Sequence, residues 1–218
     1  MARADVRWDW DGFYRDHRPP RVQVEAGRRN AARLERFIES KGLSVRSLAD
    51  VGCGPATTLF ELAPRLPGTE FLGFDLSGTI LEKNRRKARR NGLSNLTFRR
   101  ARLPQMPTSR RFDIVICIAT LHYVRDSRRA IRNLFAMTAP GGHLVFNYPN
   151  RAQRAATARE AERDPLVRPR FHLVLEGRNL LSGKIIAATL GREPRNFWTA
   201  VGDPPRPVNP CVVVSRRR

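Results

Sequence analysis

Two glycines, Gly52 and Gly54, lie in the turn after the first predicted strand and would let a ligand approach the backbone closely. A turn that binds a dinucleotide follows the pattern G-x-G-x-x-G, which here would require a glycine where Thr57 stands. Pro55, inside the turn, has no N–H group to donate to a phosphate. The turn is therefore poorly suited to a pyrophosphate.

Two aspartates on either side of this turn indicate what it binds instead. Asp50, just before the glycines, would repel a pyrophosphate but favour a ligand that carries an ammonium and a sulfonium group. Asp75 follows the second predicted strand, where a carboxylate can accept hydrogen bonds from both hydroxyl groups of a ribose. Alternatively, Asp75 caps the next helix, although Ser77 could do so. The spacing predicts a cationic, ribose-bearing ligand.

The cysteines and histidines do not follow the spacing of a metal site or a disulfide framework. The cysteines are odd in number and include no C-x-x-C pair. The histidines are equally scattered. We therefore predict no metal ion, no disulfide bond and a reducing compartment. The residues concerned are Cys53, Cys117, Cys211, His17, His122, His143 and His172.

Short apolar segments alternate with amphipathic ones through the middle of the chain. The apolar segments are rich in Val, Ile and Phe and too short for helices, so they predict buried strands. This alternation predicts an α/β fold with a parallel, doubly wound sheet. The predicted strands are Leu48–Val51, Glu70–Phe74, Leu96–Phe98, Phe112–Ile118 and Leu144–Phe146, and the predicted helices between them are Thr57–Leu66, Gly78–Asn91 and Ser127–Met137.

The N-terminal part, residues 1–42, is predicted to contain an arm and a helix. Trp8–Pro20 is aromatic and polar without clear periodicity, whereas Val22–Glu39 has apolar residues at helical spacing. The aromatic residues of the arm fold over the ligand site as a lid or pack on the edge of the sheet. Among them, Tyr14 is a candidate for the substrate pocket.

The C-terminal part, residues 151–218, is predicted to follow a core of residues 43–150. Arg151–Arg163 forms a solvated helix or a mobile flap, and Asn179–Leu190 forms the last helix. Phe197–Val201 and Cys211–Val214 are predicted to pair as antiparallel strands at the sheet edge. A chain of 218 residues with 41% hydrophobic residues fits a single domain spanning 1–218.

The chain is strongly basic. It has 41 basic and 20 acidic residues and a net charge of +21, nearly all of it from arginine. Such a charge attracts polyanions and anionic substrates, or it reflects a general bias toward arginine. No apolar run is long enough to span a membrane, and no signal peptide is recognisable. We expect a cytoplasmic protein.

Four motifs between Val45 and Asn147 resemble those of the class I S-adenosylmethionine-dependent methyltransferases, in particular the methyltransferase type 11/25-like family, whose members mostly modify small molecules. A single G-x-G would be weak, but four motifs in order are specific. They are Asp50-Val51-Gly52-Cys53-Gly54; Phe71-Leu72-Gly73-Phe74-Asp75-Leu76-Ser77; Phe112-Asp113-Ile114-Val115 with Leu121-His122-Tyr123-Val124; and Ala139-Pro140-Gly141-Gly142-His143-Leu144-Val145-Phe146.

The resemblance implies a Rossmann-like, seven-stranded sheet, mostly parallel with an antiparallel last strand, in three layers (α/β/α). It implies the cofactor S-adenosyl-L-methionine (SAM), the product S-adenosyl-L-homocysteine (SAH) and a transferase of class EC 2.1.1. Asp75 would hold the ribose, and the backbone near Ile118 would meet the cofactor's amino group. Asp113 would be structural. The implied cofactor-binding residues are Asp50, Gly52, Cys53, Gly54, Asp75, Leu76, Arg102, Leu103, Ile118 and Ala119.

Two positions depart from the family pattern. Ala56 stands where the family often has a third glycine, which narrows the turn. Arg102 stands where the family commonly has an acid that accepts from the adenine amino group, and an arginine has no acceptor. Adenine would then rely on the backbone of Leu103 and apolar packing, or Arg102 would turn outward.

The methyl acceptor is less well specified. The cofactor supplies an activated methyl group, so the protein has to place the acceptor in line and provide a base only if a proton must be lost. His122 and Tyr123, just after the fourth strand, are candidate catalytic residues, although a structural histidine fits His122 equally well. Asn147 and Tyr148 are candidates for lining the acceptor pocket.

The sequence is compatible with three functions. The first is methyl transfer to an O, N or C atom of a small-molecule acceptor, possibly anionic. The second is methylation of tRNA or rRNA through the basic surface, although no aromatic residues alternate with the arginines to stack bases. The third is a non-catalytic protein that uses the fold to bind RNA or a partner. The oligomeric state is not specified.

Overall fold

A mixed sheet organises the chain in the computed structural model, which describes residues 8–107 and 109–217. The strand order among the described residues is β3-β2-β1-β4-β5-β7-β6, with β7 antiparallel to both of its neighbours. The predicted seven-stranded, doubly wound sheet with an antiparallel last strand is therefore confirmed. The strands are β1 (Ser47–Val51), β2 (Glu70–Asp75), β3 (Leu96–Arg100), β4 (Phe112–Cys117), β5 (Thr138–Asn147), β6 (Arg195–Asn196) and β7 (Cys211–Ser215).

Helices cover both faces of the sheet and form the outer layers. One apolar cluster joins one face to residues such as Leu34 and Leu59, and a second joins the other face to Ile131 and Ile186. The helices are α1 (Trp10–Asp16), α2 (Arg21–Ser40), α3 (Thr57–Leu62), α4 (Gly78–Arg90), α5 (Ser127–Ala136), α6 (Arg151–Glu160), α7 (Val167–Arg170), α8 (His172–Leu175), α9 (Gly183–Leu190) and α10 (Phe197–Ala200), and a 3-10 turn covers Leu121–Tyr123.

The edge formed by the carboxyl ends of the parallel strands positions the candidate site. β1 lies between β2 and β4, so the residues that follow these three strands meet at one edge. Asp113 lies at the opposite edge, where its Oδ2 accepts hydrogen bonds from the backbone N–H groups of Arg46 and Ser47, both at 2.9 Å. This contact fixes the start of β1 against β4 and agrees with a structural role for Asp113.

Several predicted elements differ from those observed. Trp8–Pro20 contains a helix, α1, whose N-cap Asp9 accepts a hydrogen bond from Gly12 N at 2.9 Å. Phe197–Val201, predicted as a strand, contains α10 because the Asn196 side chain caps that helical turn. The antiparallel edge strand is instead β6, directly before it. For Arg151–Arg163, by contrast, the helical alternative of the prediction is the one observed, since α6 covers Arg151–Glu160.

The start of β5 also differs from the prediction. β5 begins at Thr138, and Ala139-Pro140-Gly141-Gly142 form an irregularity within the strand, because pairing with β4 shifts between Phe112 and Ile114. A Cβ on Gly142 would lie 2.6 Å from the Asp113 carbonyl oxygen, so only glycine fits this close approach. Glycine and proline here mark a bulge within the strand.

No helix in the part of the chain that the structure describes is long and apolar enough to cross a membrane. The same residues contain no cluster of three or more His, Cys, Asp or Glu side chains arranged to hold a metal ion. All three cysteines are buried and unpaired by disulfide bonds.

Candidate functional site

A cavity of about 850 Å³ opens at the carboxyl ends of β1, β2 and β4. Gly52 and Gly54 line it after β1, Asp75 lines it after β2, and Ala119 lines it after β4. Ligands of doubly wound sheets bind at this edge, and cavities of this size hold cofactors and substrates. The structure thus brings together residues that lie far apart in the sequence.

The turn after β1 requires glycine at its first position. Gly52 has a φ of +79°, in the left-handed region. A Cβ at this position would lie 2.1 Å from Oγ1 of Thr120, which follows β4. The N–H groups of Gly52 and Cys53 both donate to the Phe74 carbonyl oxygen, at 2.7 and 2.9 Å. At Gly52 the turn therefore presents backbone atoms, and no side chain, to the cavity.

Ala56, in place of the third glycine, is also left-handed. Its φ is 52° and it precedes α3 as the N-cap without a side-chain hydrogen bond. A left-handed alanine costs about 1 kcal/mol relative to its right-handed conformation. Its methyl group is buried, so the departure from the family pattern changes local strain and packing beside the cavity and leaves the path of the turn intact.

Asp75 is held by the backbone around it. Oδ2 accepts from Gly54 N at 2.8 Å and Oδ1 accepts from Ser77 N at 2.9 Å. Burial raises the pKa of its carboxyl group, and these backbone hydrogen bonds oppose the rise. The carboxylate lines the cavity and keeps free lone pairs for further donors. Ser77, not Asp75, caps α4, by accepting from Ile80 N at 3.2 Å.

Asp50 and Cys53 lie beneath the turn and do not line the cavity. Both side chains are buried, and neither residue lines the cavity. The structure therefore does not place either side chain where it would touch a ligand, contrary to the prediction. Burial, and secondarily the charge of Asp75, raises the pKa of Asp50 to about 8. At neutral pH, Asp50 therefore carries a proton until a nearby positive charge favours its ionised form.

Asp50→Asn should remove a pH dependence of stability. Because the pKa of Asp50 is about 8 in the folded state and ordinary in the unfolded state, the folded protein holds an extra proton between those values. Stability therefore falls as pH rises through this range, by up to about 1.4 kcal/mol per pH unit. In urea denaturation, the variant should match wild type near pH 5 and exceed it by at least about 2 kcal/mol near pH 8. Parallel curves would contradict the assignment.

The segment after β3 forms another wall of the cavity. Arg102 and Leu103 both line it, as predicted, and Arg102 pairs with Gln105 in an isolated bridge. Arg102 is exposed, whereas Leu103 is half-buried against the apolar cluster of its face. The outward alternative for Arg102 is therefore compatible with its position at the rim.

Helix α1 covers the cavity next to the turn. Trp10 and Tyr14 line the cavity, and the Tyr14 hydroxyl lies 2.9 Å from where a Cβ of Gly54 would stand. Lys83 donates to the Tyr14 carbonyl oxygen. Asp11 Oδ1 accepts from Ser77 Oγ at 2.7 Å and from Thr79 N at 3.0 Å. These contacts attach α1 to the start of α4, beside Asp75.

Asp11→Ala should loosen α1. Losing both acceptor contacts removes hydrogen bonds that each contribute about 1 kcal/mol. Amide hydrogen exchange should accelerate in α1, and SAH should bind about three- to tenfold more weakly, since Tyr14 would no longer be held beside Gly54. Asp16→Ala is a matched control, because Asp16 is an exposed aspartate of the same helix. Equal effects of the two substitutions would show that the docking contacts are not responsible.

Tyr123 lies in the cavity and belongs to an aromatic wall. Its ring centroid lies 4.8 Å from that of Trp10 and 5.3 Å from that of Phe171. Burial raises its pKa to about 12, so the phenol keeps its proton at neutral pH. Tyr123 can therefore donate a hydrogen bond to a ligand but is poorly suited to act as a base.

The structure does not bring the other three acceptor-site candidates to the cavity. His122 is buried outside it, and burial lowers its pKa to about 4. Asn147 is buried at the end of β5, where its Oδ1 accepts from Ala119 N at 2.6 Å and supports a left-handed Ala119 with φ +59°. Tyr148 packs in the apolar cluster beside Phe146. Their side chains are used in packing and hydrogen bonds within the fold.

One wall of the cavity was not predicted from the sequence. The segment of α7 and α8 was not predicted, because its short helices carry no long apolar periodicity. Thr120 was also missed, although its position directly after β4 could have indicated it. The cavity-lining residues not predicted include Thr120, Arg125, Asp126, Arg170, His172 and Leu173.

Comparison with known proteins agrees with this geometry. A family model described as "Methyltransferase domain" matches residues 45–180. The chain is 31% identical to trans-aconitate 2-methyltransferase of Methylobacterium radiotolerans, over 60% of this chain and 53% of that protein. It is 30% identical to ubiquinone biosynthesis O-methyltransferase of Coxiella burnetii, over 58% of this chain and 53% of that protein. The chain thus spans about half the length of these relatives.

Solved structures share the fold. The plantazolicin methyltransferase BpumL, described in complex with SAH, superposes with a TM-score of 0.67 at 12% identity, over 95% of this chain and 88% of that chain. An O-methyltransferase family protein from Burkholderia thailandensis gives a TM-score of 0.61 at 18% identity, over 90% of this chain and 55% of that chain. Since the family model matches more than half of the residues and the sheet is seven-stranded, doubly wound and mostly parallel as predicted, the chain belongs to the methyltransferase-domain family and is a class I S-adenosylmethionine-dependent methyltransferase by fold and motif.

Proposed function

We propose that the protein transfers a methyl group from SAM to a nucleophilic O, N or C atom of a small-molecule acceptor. The observation that carries this proposal is the single cavity shared by the glycine turn, Asp75 and the aromatic wall. A cofactor at the turn and an acceptor at the wall would be next to each other. The volume of about 850 Å³ is large enough for both.

The residues at the turn fit SAM. Glycine at position 52 permits the close approach of Thr120, which lines the cavity with it, and the Asp75 carboxylate can accept from ribose hydroxyls. Leu103 offers an apolar surface for adenine, in place of the missing acid. Buried Asp50 would favour a positively charged ligand when it ionises. When bound, the cofactor supplies a methyl group on a sulfonium centre.

The protein's own contribution is placement and exclusion of water. The rings of Trp10 and Tyr123 line the cavity and form a wall against which an acceptor can be oriented, and Phe171 packs against Tyr123. Helix α1 acts in this proposal as a lid over the core of residues 43–150. Among the described residues that line the cavity, His172 is the one histidine, and its Nδ1 lies 3.1 Å from the Pro169 carbonyl oxygen.

A small molecule is favoured over RNA as the acceptor. The two relatives named above are described as methylating trans-aconitate or acting in ubiquinone biosynthesis. RNA methylation is the second candidate, because α4 carries a basic surface. Several of these arginines, however, pair with Glu82 on the same helix, at 3.0 Å for Arg86 and 3.7 Å for Arg85. These ion pairs reduce the positive charge that the surface of α4 offers to a nucleic acid.

Tritium-labelled methyl transfer tests the proposal. The purified protein is incubated with labelled SAM and either a small-molecule extract or total cell RNA. We expect label in the small-molecule fraction, and none when Asp75→Ala replaces wild type. Label in RNA alone would replace the first candidate with the second. No transfer together with no SAH binding would favour the non-catalytic alternative.

A further inference from the structure

Two residues that line the cavity each have a buried side-chain N–H group without a hydrogen-bond partner among residues 8–107 and 109–217. These groups are Trp8 Nε1 and Arg170 Nε. A buried donor without an acceptor costs about 1 to 3 kcal/mol, so such groups are usually satisfied by a bound molecule or water. Both groups donate and neither accepts. Trp8 and Arg170 therefore contribute donors, and no acceptor, to the wall of the cavity.

The charged side chains that line the cavity also favour a ligand with acceptor oxygens. Of the two aspartates, Asp75 is assigned to the ribose in the proposed function, and Asp126 accepts from Arg129 N at 2.9 Å as the cap of α5. Arginine cannot lose its charge at neutral pH and has only donors. The charged residues lining the cavity among the described ones are Arg102, Arg125 and Arg170, against Asp75 and Asp126.

Arg170 lies on the acceptor side of the cavity. Its Cζ lies 4.7 Å from the centroid of the Phe171 ring, which packs against Tyr123 after β4. Asp75 follows β2, two strands away across β1, which corresponds to about 10 Å at the usual strand spacing. The guanidinium is thus separated from the proposed ribose contact and adjacent to the aromatic wall.

The aromatic rings that line the cavity indicate the chemistry of the rest of the ligand. Trp10 and Tyr123 both line the cavity, with ring centroids 4.8 Å apart, and such rings bind planar, apolar groups by stacking and edge contacts. A guanidinium that is stacked on Phe171 is held in a fixed plane, as bidentate binding of a carboxylate requires.

We propose that the methyl acceptor carries a carboxylate group, which Arg170 binds, next to an unsaturated or aromatic body that packs against Trp10 and Tyr123. This inference rests on the proposed function and names its substrate class. Arg170 is then the residue that determines specificity for anionic acceptors.

Calorimetry on SAH-saturated protein tests the inference with matched probes. The carboxylates are trans-aconitate and para-hydroxycinnamate, and their neutral counterparts are trimethyl trans-aconitate and para-hydroxycinnamamide. The carboxylates should bind wild type more tightly than the neutral probes. Arg170→Gln should weaken the carboxylates at least about tenfold and leave the neutral probes and SAH unchanged. Arg170→Lys, which keeps the charge without the planar fork, should lose less.

Arg168→Gln is the matched control, because Arg168 is an exposed residue of the same helix, α7, and does not line the cavity. It should leave all affinities unchanged. Equal binding of charged and neutral probes, or no carboxylate binding at millimolar concentration, would overturn the inference. A loss of SAH affinity in Arg170→Gln would instead assign Arg170 to the cofactor's own carboxylate. Failure of wild type to bind SAH at all would count against the proposed function itself.

Discussion

Asp75→Ala is expected to weaken SAH binding at least about 100-fold, because the substitution removes a buried carboxylate that we propose accepts from two ribose hydroxyls. Hydrogen bonds to a charged acceptor contribute about 1.5 to 3 kcal/mol each, and here the surroundings exclude competing water. The substitution also leaves the N–H groups of Gly54 and Ser77 without their acceptor, which loosens the turn. Isothermal titration calorimetry measures the affinity directly.

Asp113→Asn is a matched control for this effect. Asp113 also accepts from two backbone N–H groups at a strand end, but at the opposite edge of the same sheet. Its substitution should lower the melting temperature and leave the SAH affinity within about twofold of wild type. If both variants lost affinity equally, the loss would reflect general destabilisation and not a ribose contact. An unchanged affinity in Asp75→Ala would remove the proposed contact.

Gly52→Ala is expected to cost about 2 to 4 kcal/mol of folding free energy and most of the cofactor affinity. The new methyl group would lie 2.1 Å from Thr120 Oγ1 and 2.5 Å from its Cγ2, both far inside van der Waals contact. A φ of +79° adds backbone strain for any residue with a Cβ. Relief requires moving the turn or Thr120, and both line the cavity. Urea denaturation gives the stability and calorimetry gives the affinity.

Gly42→Ala separates backbone strain from the steric clash. Gly42 has a φ of +56°, but a Cβ there would meet no atom within 4 Å. This control should therefore lose only about 1 kcal/mol and keep its SAH affinity. Adding Thr120→Ala to Gly52→Ala should restore part of the stability, because the alanine lacks the two closest atoms, Oγ1 and Cγ2, and keeps only Cβ, at 2.8 Å. No rescue, or equal losses for the two glycine variants, would contradict the close approach between Gly52 and Thr120.

The core of the fold could be predicted from the sequence because its signals are local. Each buried strand is a short run of apolar residues, and each turn that meets the ligand needs a glycine or an acid at a fixed position. Asp50, Gly52 and Asp75 therefore indicated the ligand type before the fold was known. The family model covers this same region, residues 45–180.

The parts that were missed depend on contacts between distant segments. Asn147 was expected in the acceptor pocket, but its proximity to Ala119 arises only when β4 and β5 pair. His122 follows β4 like Tyr123, yet the 3-10 turn buries one ring and leaves the other in the cavity. Arg170 lies on a four-residue helix whose position is set by packing rather than by periodicity. Adjacent residues in a turn thus acquire different roles through tertiary structure alone.

The C-terminal mismatch has a similar cause. Phe197–Val201 contains aromatic and β-branched residues that favour a strand. The Asn196 side chain instead accepts from Thr199 N at 3.1 Å, and Trp198 packs between the guanidinium groups of Arg33 and Arg206. A cap and two cation–π contacts therefore outweigh strand propensity over this short segment.

The central claim is that the cavity at the carboxyl ends of β1, β2 and β4 binds the methyl donor. Titration of wild-type protein with SAH, followed by calorimetry, tests it most directly. We expect saturable binding of one SAH molecule per chain, with a dissociation constant in the micromolar range. No binding at millimolar SAH would contradict it.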